Sequence, residues 1–230
     1  MDEKRILKYF SQKSHSLITL IAVLLLCLGF CVILLLPPSF WALGLLMMLA
    51  GALMFIVLSV QIKDSEVDEA VAAVMETFRK AFEEQFIYYD TRKLHQAELH
   101  GQYHKEPIYA SGYLTGVEGL LIRRGNDSKT RTSVYQCVGI LEEEDSIRFH
   151  VQNFSLVGGG KDQPQTLNIA YTELSRVALG ESFAQMHLTT MEIYGKEGND
   201  CLLRFQMPAD AKTDDLVADI NAKIHKAHEE

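Results

Sequence analysis

Between positions 16 and 62 the chain carries no Asp, Glu, Lys or Arg, and its apolar run is interrupted only by Pro37-Pro38-Ser39. A hydrocarbon layer about 30 Å thick takes ~20 helical residues at about 1.5 Å each, and each side of the proline pair supplies that length. The pattern predicts two helices, apolar on every face, folded into a hairpin within a bilayer. A cleaved secretory leader does not fit, because its apolar run is about 7 to 15 residues and here a second run follows almost at once. The rest of the chain is too small and too polar to bury such a pair inside a soluble core.

The period then changes twice. Across 64–89, Val71, Val74, Met75, Phe78, Phe82 and Phe86 recur at three- and four-residue steps, with Glu66, Asp68, Glu69, Glu76, Glu83 and Glu84 mostly elsewhere. This predicts an amphipathic helix. Its stripe has two uses open to it, packing on the downstream domain or pairing with a second copy as a stalk; the aromatic content and the lack of sustained Leu heptads favour the first. From Ile108 onward, short runs of β-branched and aromatic residues alternate with turn formers, as in an antiparallel sheet. Strands are expected at 108–114, 119–124, 133–141, 147–155, 165–170, 186–194 and 201–207. Turns fall at Arg124-Gly125-Asn126-Asp127, Glu142-Glu143-Glu144-Asp145, Gly158-Gly159-Gly160-Lys161 and 195–199. Pro208 and Asp210 open a final helix whose apolar face is Leu216, Val217, Ile220 and Ile224. Seven strands and a terminal helix predict a partly open antiparallel barrel with a plug. The expected organisation is a basic tail (1–15), a transmembrane hairpin (16–62), a helix and linker (63–107) and a β-rich domain (108–230).

Charge placement orients this arrangement. Lys4, Arg5, Lys8 and Lys13 precede the first apolar run, Lys63 follows the second, and the proline turn has no cation. Cationic flanks stay on the cytoplasmic side, so both ends are expected there, in a multi-pass protein of the cell membrane, with Phe40 and Trp41 as interfacial anchors beside the external turn. In that topology the Asn-x-Ser patterns at Asn126 and Asn153 are not glycosylation sites. A net charge of -8 argues against nucleic acid as a partner.

Candidate chemistry is sparse. The four cysteines, Cys27, Cys31, Cys137 and Cys201, lack metal-site spacing and read as small apolar residues. His95, His100 and His104 approach a helical metal spacing, but Gly101 and Pro107 break the helix it requires. Lys161 follows glycines without the Ser or Thr of a phosphate-binding loop, and no nucleophile elbow or zinc-protease pattern occurs. No catalytic residue, metal or cofactor is expected.

The segment Tyr113-Leu114-Thr115-Gly116-Val117-Glu118-Gly119-Leu120-Leu121-Ile122-Arg123-Arg124-Gly125 resembles the first hairpin of the bacterial pleckstrin-homology-like domains, with the GRAM domains as near neighbours. Leu167-Asn168-Ile169-Ala170-Tyr171-Thr172-Glu173-Leu174-Ser175-Arg176-Val177 is similar to a later segment of that family. The resemblance covers about 108–228 and implies binding rather than catalysis. Membrane hairpins commonly accompany this bacterial module. It leaves two roles in view: a scaffold or regulator of a protein partner, whether another membrane protein or a further copy of the chain, and a binder of anionic lipid or phosphate. In lipid-binding relatives the basic groups come from the first hairpin, and here Arg123, Arg124, Lys129 and Arg131 surround the Gly125 turn. A third role is that of an accessory subunit contacting a transporter through the apolar hairpin.

Overall fold

The computed structural model describes residues 3–11, 16–59, 62–87, 106–158, 162–196 and 200–229. The chain divides into two compact units, Arg5–Lys63 and Asp64–Glu230, the latter joined by the first four residues.

In the first unit, α2 (Ser16–Leu35) and α3 (Trp41–Ser59) pack as an antiparallel pair across a single turn of 3-10 helix at Pro38–Phe40. Both are long and apolar enough to cross a bilayer, with mean hydropathy 3.2 and 2.4 over their most apolar windows. Small residues set their separation. A Cβ on Gly29 would lie 2.7 Å from the Gly44 carbonyl oxygen, and one on Gly51 would lie 2.9 Å from that of Ala22. The small residues of α3 therefore face α2 itself, which lets the two backbones approach closely. Ahead of them, part of the expected basic tail is a nine-residue helix, α1 (Glu3–Ser11). Its apolar Ile6 and Tyr9 are buried, three positions apart on one face, and so short a pattern is weak in sequence.

In the second unit, α4 (Asp64–Phe86) precedes, among the described residues, nine strands: β1 (Ile108–Tyr113), β2 (Ile122–Arg124), β3 (Thr130–Thr132), β4 (Val134–Glu142), β5 (Ser146–Ser155), β6 (Gln165–Ala170), β7 (Leu174–Phe183), β8 (Leu188–Gly195) and β9 (Cys201–Pro208). The terminal helix is α5 (Ala211–Glu229), capped by Asp210, whose Oδ1 accepts from the Thr213 N–H at 2.9 Å. The strands form antiparallel sheets in the orders β1-β4-β5-β6, β2-β3 and β7-β8-β9, and none of the three closes. The expected partly open seven-stranded barrel is thus replaced by nine strands in three separate sheets.

Each departure has a local cause. Gly119 sits at φ +81°, so the strand expected from 119 begins only at Ile122. β3 is three residues long, too short to show alternation. β7 carries two register irregularities, and only Leu174 and Val177 of its ten residues are buried, which erases the two-residue period.

The core lies between the two larger sheets and α5. Val138, Ile140, Phe149, Leu174, Met191, Ile193 and Ile220 are fully enclosed or nearly so there. The four-stranded sheet is covered on its other face as well, because α4 lays Phe78 and Phe82 against it. Phe78, Phe82 and Phe86 surround the His150 imidazole at ring separations of 5.6, 5.9 and 5.2 Å. Burial holds that imidazole below its ordinary pKa, and its Nδ1 contacts Thr166 Oγ1 at 2.7 Å. The aromatic stripe of α4 is therefore spent inside the domain, as its composition predicted, and is not left for a stalk.

Gly139 of β4 makes room for it: a Cβ there would lie 2.7 Å from the Phe82 ring. Gly139→Ala is expected to destabilise the folded chain by about 1–3 kcal/mol through overpacking. Phe82→Ala is expected to cost about 3–5 kcal/mol. In the Phe82→Ala background the Gly139 change should cost almost nothing, a non-additivity that a thermal-unfolding double-mutant cycle on detergent-solubilised protein will read.

Candidate functional site

The four cations singled out in the sequence do fall around one hairpin, β2–β3, but they do not share one fate. Its tip is a turn in which the Ser128 N–H donates to the Gly125 carbonyl at 3.1 Å and Ser128 takes a left-handed φ of 65°. Arg124 Nε donates to the Ser128 carbonyl at 3.3 Å, and Arg123 and Lys129 lie on either side of the turn.

Arg131 goes inward. Its side chain is 0% exposed. Nε and Nη2 donate to the two oxygens of Asp68 on α4 at 2.8 and 2.7 Å. Nη1 and Nη2 donate to the two oxygens of Asp127 at 2.9 and 2.8 Å. Two bidentate carboxylates thus satisfy four of the five guanidinium N–H groups, which is what makes burial of a permanent cation tolerable. The Tyr113 hydroxyl donates to Asp68 at 3.2 Å, and burial together with the Asp68 charge pushes its pKa well up. A Cβ at Gly125 would run into Arg131 Nη1 and lie 2.8 Å from Asp64 Oδ2, so any side chain there would have to displace this network. Asp64 Oδ2 accepts from the Asn126 N–H at 2.7 Å, a second tie between the start of α4 and the hairpin tip. Arg131 is thus a structural cation; Arg123, opposite it in the ladder, is half-buried, and the exposed basic groups are Arg124 and Lys129.

Sequence reasoning missed the apolar companions of these cations. Val117, Leu121 and Ile122 are 53%, 40% and 62% exposed. Val117 and Leu121 lie in the segment between β1 and β2, where Gly116 (φ +76°) and Gly119 (φ +81°) turn the chain, and Ile122 opens β2. Leu120-Leu121-Ile122 reads as an interior strand by composition alone. Only the two nearby glycines signalled otherwise.

A second concavity, of about 490 Å³, opens between the two larger sheets and is lined by Thr115, Gln136, Asn153, Phe183, Arg204 and Gln206 among others. Its polar wall is a relay of carboxamides. Gln136 Nε2 donates to Asn153 Oδ1 at 2.9 Å, Gln136 Oε1 accepts from the Gln206 N–H at 2.7 Å, and the Gln206 side chain bonds both main-chain groups of Thr115. Asn153, read as a glycosylation pattern, is one of its members.

Among the described residues no group of three or more His, Cys, Asp or Glu converges to hold a metal ion. His95, His100, His104 and Lys161 lie outside the described residues. Cys137 is enclosed, and burial pushes its thiol up to about 12, so it is inert packing. The Glu142–Asp145 turn is engaged rather than merely hydrated: Lys223 donates to Glu142, and Arg148 pairs with Glu143 at 3.4 Å.

Arg131 holds Asp127 down to about 2 and Asp68 below the ordinary carboxylate range. A carboxyl whose folded pKa is depressed contributes stability that is present above its unfolded value, about 3.9, and lost as pH falls toward the folded one. Unfolding of the chain by denaturant is therefore expected to show an acid-side loss between about pH 4 and pH 2, smaller in Asp127→Asn. Arg131→Ala is expected to cost about 3 kcal/mol, the low end for removing one partner of a buried pair, because the two stranded carboxylates keep some contact with water. Compared with known protein families, curated proteins and solved structures, the chain matches none.

Proposed function

We propose that this chain is a membrane-tethered, non-catalytic binding module. In this reading α2 and α3 form a transmembrane hairpin with both chain ends in the cytoplasm. The sheet domain has pleckstrin-homology-like architecture and scaffolds or regulates a protein partner at the inner membrane face. The observation that carries it is the exposed surface of the two apolar helices: Leu20, Leu24, Leu28, Leu45, Leu46, Leu49 and Leu53 are all exposed. Each such side chain left in water forgoes about 1.5–3 kcal/mol of burial, a penalty that a bilayer removes. Lys4, Arg5 and Lys8 before the pair and Lys63 after it support the orientation. A four-stranded sheet facing a three-stranded one, with a helix after the last strand, supports the architecture.

A second reading, contact with anionic lipid through the first hairpin, is favoured by one specific observation. Val117, Leu121 and Ile122 stand exposed near Arg123, Arg124 and Lys129, the mixture that an anionic membrane interface accepts.

Two experiments test these readings. In a background without Cys27, Cys31 and Cys201, the chain should resist alkaline extraction from membranes. Ser39→Cys should react with an impermeant maleimide on intact cells, and Ser175→Cys only after lysis. Recovery in the aqueous fraction, or the reverse labelling, ends the first reading. For the second, Leu121→Trp in a Trp41→Phe chain held in nanodiscs should show blue-shifted emission when the lipid is anionic. Replacing Arg123 and Arg124 by Ala should weaken that contact by about 1 kcal/mol per cation. Emission identical in neutral and anionic discs removes lipid contact as a function.

A further inference from the structure

A sheet edge is a row of main-chain donors and acceptors that water, a side chain or another strand must satisfy. Among the described residues, carboxamides are seated on the edges of β7 and β9 and just past the end of β1. Asn221 of α5 accepts from the Val177 N–H and donates to the Val177 carbonyl, both at 2.8 Å, on a strand β7 that two register irregularities already distort. Gln206 serves Thr115, just past the end of β1, in the same way at 3.0 and 2.8 Å. Gln136 takes the main-chain N–H of Gln206 on β9.

Among the described residues no carboxamide is seated on β6. This strand is the terminal one of the four-stranded sheet and runs from Gln165 to Ala170 in unbroken register with β5. Its sequence, Gln-Thr-Leu-Asn-Ile-Ala, has no charge and no proline, the two devices that commonly blunt an edge. Leu167 and Ile169 point to the core but are only partly buried. The phase of the ladder follows from the Tyr171 N–H, which donates to the Asp145 carbonyl at 3.0 Å. Alternation then directs residues 165, 167 and 169 to β5, and turns the main-chain groups of Thr166, Asn168 and Ala170 outward.

We infer that β6 is the pairing edge for a second copy of this chain, antiparallel about a two-fold axis at Asn168. In that register Thr166 meets Ala170 of the second copy. Leu167 meets Ile169 of the second copy, so the half-covered aliphatics on the core face cover one another. Asn168 meets itself, and two carboxamides there can pair. The outward main-chain groups form the closely spaced hydrogen-bonded pairs of an antiparallel ladder, and the two four-stranded sheets become one. Self-complementarity is what selects a second copy over an unrelated peptide: no charge meets its like anywhere along the strand, and every half-buried apolar group finds an apolar partner. The inference rests on the membrane-tethered reading, because copies inserted the same way in one bilayer share an axis normal to it and meet at high local concentration.

The test uses the full chain in its own membranes, with Cys27, Cys31 and Cys201 replaced and the buried Cys137 kept. Opposed residues of a hydrogen-bonded pair lie about 5.5 Å apart at Cα, within disulfide range. Asn168→Cys is expected to give a disulfide-linked dimer of twice the chain mass under mild oxidation. Ser175→Cys, exposed on the distorted β7 edge, is expected to stay monomeric. Asn168→Lys in the otherwise native chain puts two cations at the axis and should raise the dimer dissociation constant in detergent about five-fold or more. Absence of the Asn168→Cys dimer in protein that still pellets with membranes overturns the inference and leaves the tethered reading standing. Equal crosslinking from Ser175→Cys, or a product of Asn168→Cys with a different protein alone, also overturns it. Recovery of the chain in the aqueous fraction removes the tethered reading itself.

Discussion

Among the described residues one buried cation, Arg131, fixes how α4 meets the β2–β3 hairpin. Arg131 cannot shed its charge, and in a closed interior it persists only where anionic partners meet its planar fork. Asp68 and Asp127 do so from opposite sides, one on α4 and one in the β2–β3 turn. Because each supplies both oxygens, the geometry fixes the helix and the hairpin relative to each other in direction as well as distance. The pair thus behaves as one body even though more than 60 residues separate its ends in the chain. The cost of burying the charge is offset only while both carboxylates are present, so this corner specifies an arrangement more than it adds net stability.

That arrangement decides what the sheet shows to solvent. With α4 held at its start by Arg131 and along its length by Phe78 and Phe82, the outer face of the four-stranded sheet is covered over β1, β4 and β5, while Thr166 and Asn168 of β6 stay exposed. What remains outward is the loop and hairpin carrying Val117, Ile122 and Arg124, the cleft walled by Gln136 and Gln206, and the strand edges. Carboxamides are well suited to those edges, since one side chain carries both an acceptor and a donor and can replace a strand residue without bringing in charge. Their presence on β7, β9 and beyond β1 leaves β6 as the contrast.

Binary patterning determined the coarse organisation. A charge-free run from 16 to 62 has few stable solutions in water, so the two apolar helices were readable from composition alone. The period of α4 and of α5 was equally plain, because amphipathic stripes of six and four residues recur at helical spacing over several turns. Strands β1, β4, β5, β6, β8 and β9 followed from local alternation, and β7 did not, since its bulges break the period that identifies a strand.

Tertiary structure decided everything that depends on which distant residues meet. Nothing in a list of four nearby cations separates Arg131 from Arg123, Arg124 and Lys129; the difference is that Asp68, far upstream, arrives beside one of them. Nor does composition tell an interior Leu-Leu-Ile from an exposed one, because local pattern records how apolar a segment is and not whether another element covers it. Helix and strand periods are properties of neighbours in sequence, and so survive in the linear chain. Charge pairing, edge satisfaction and exposure are properties of neighbours in space, and come into being only when the chain is folded.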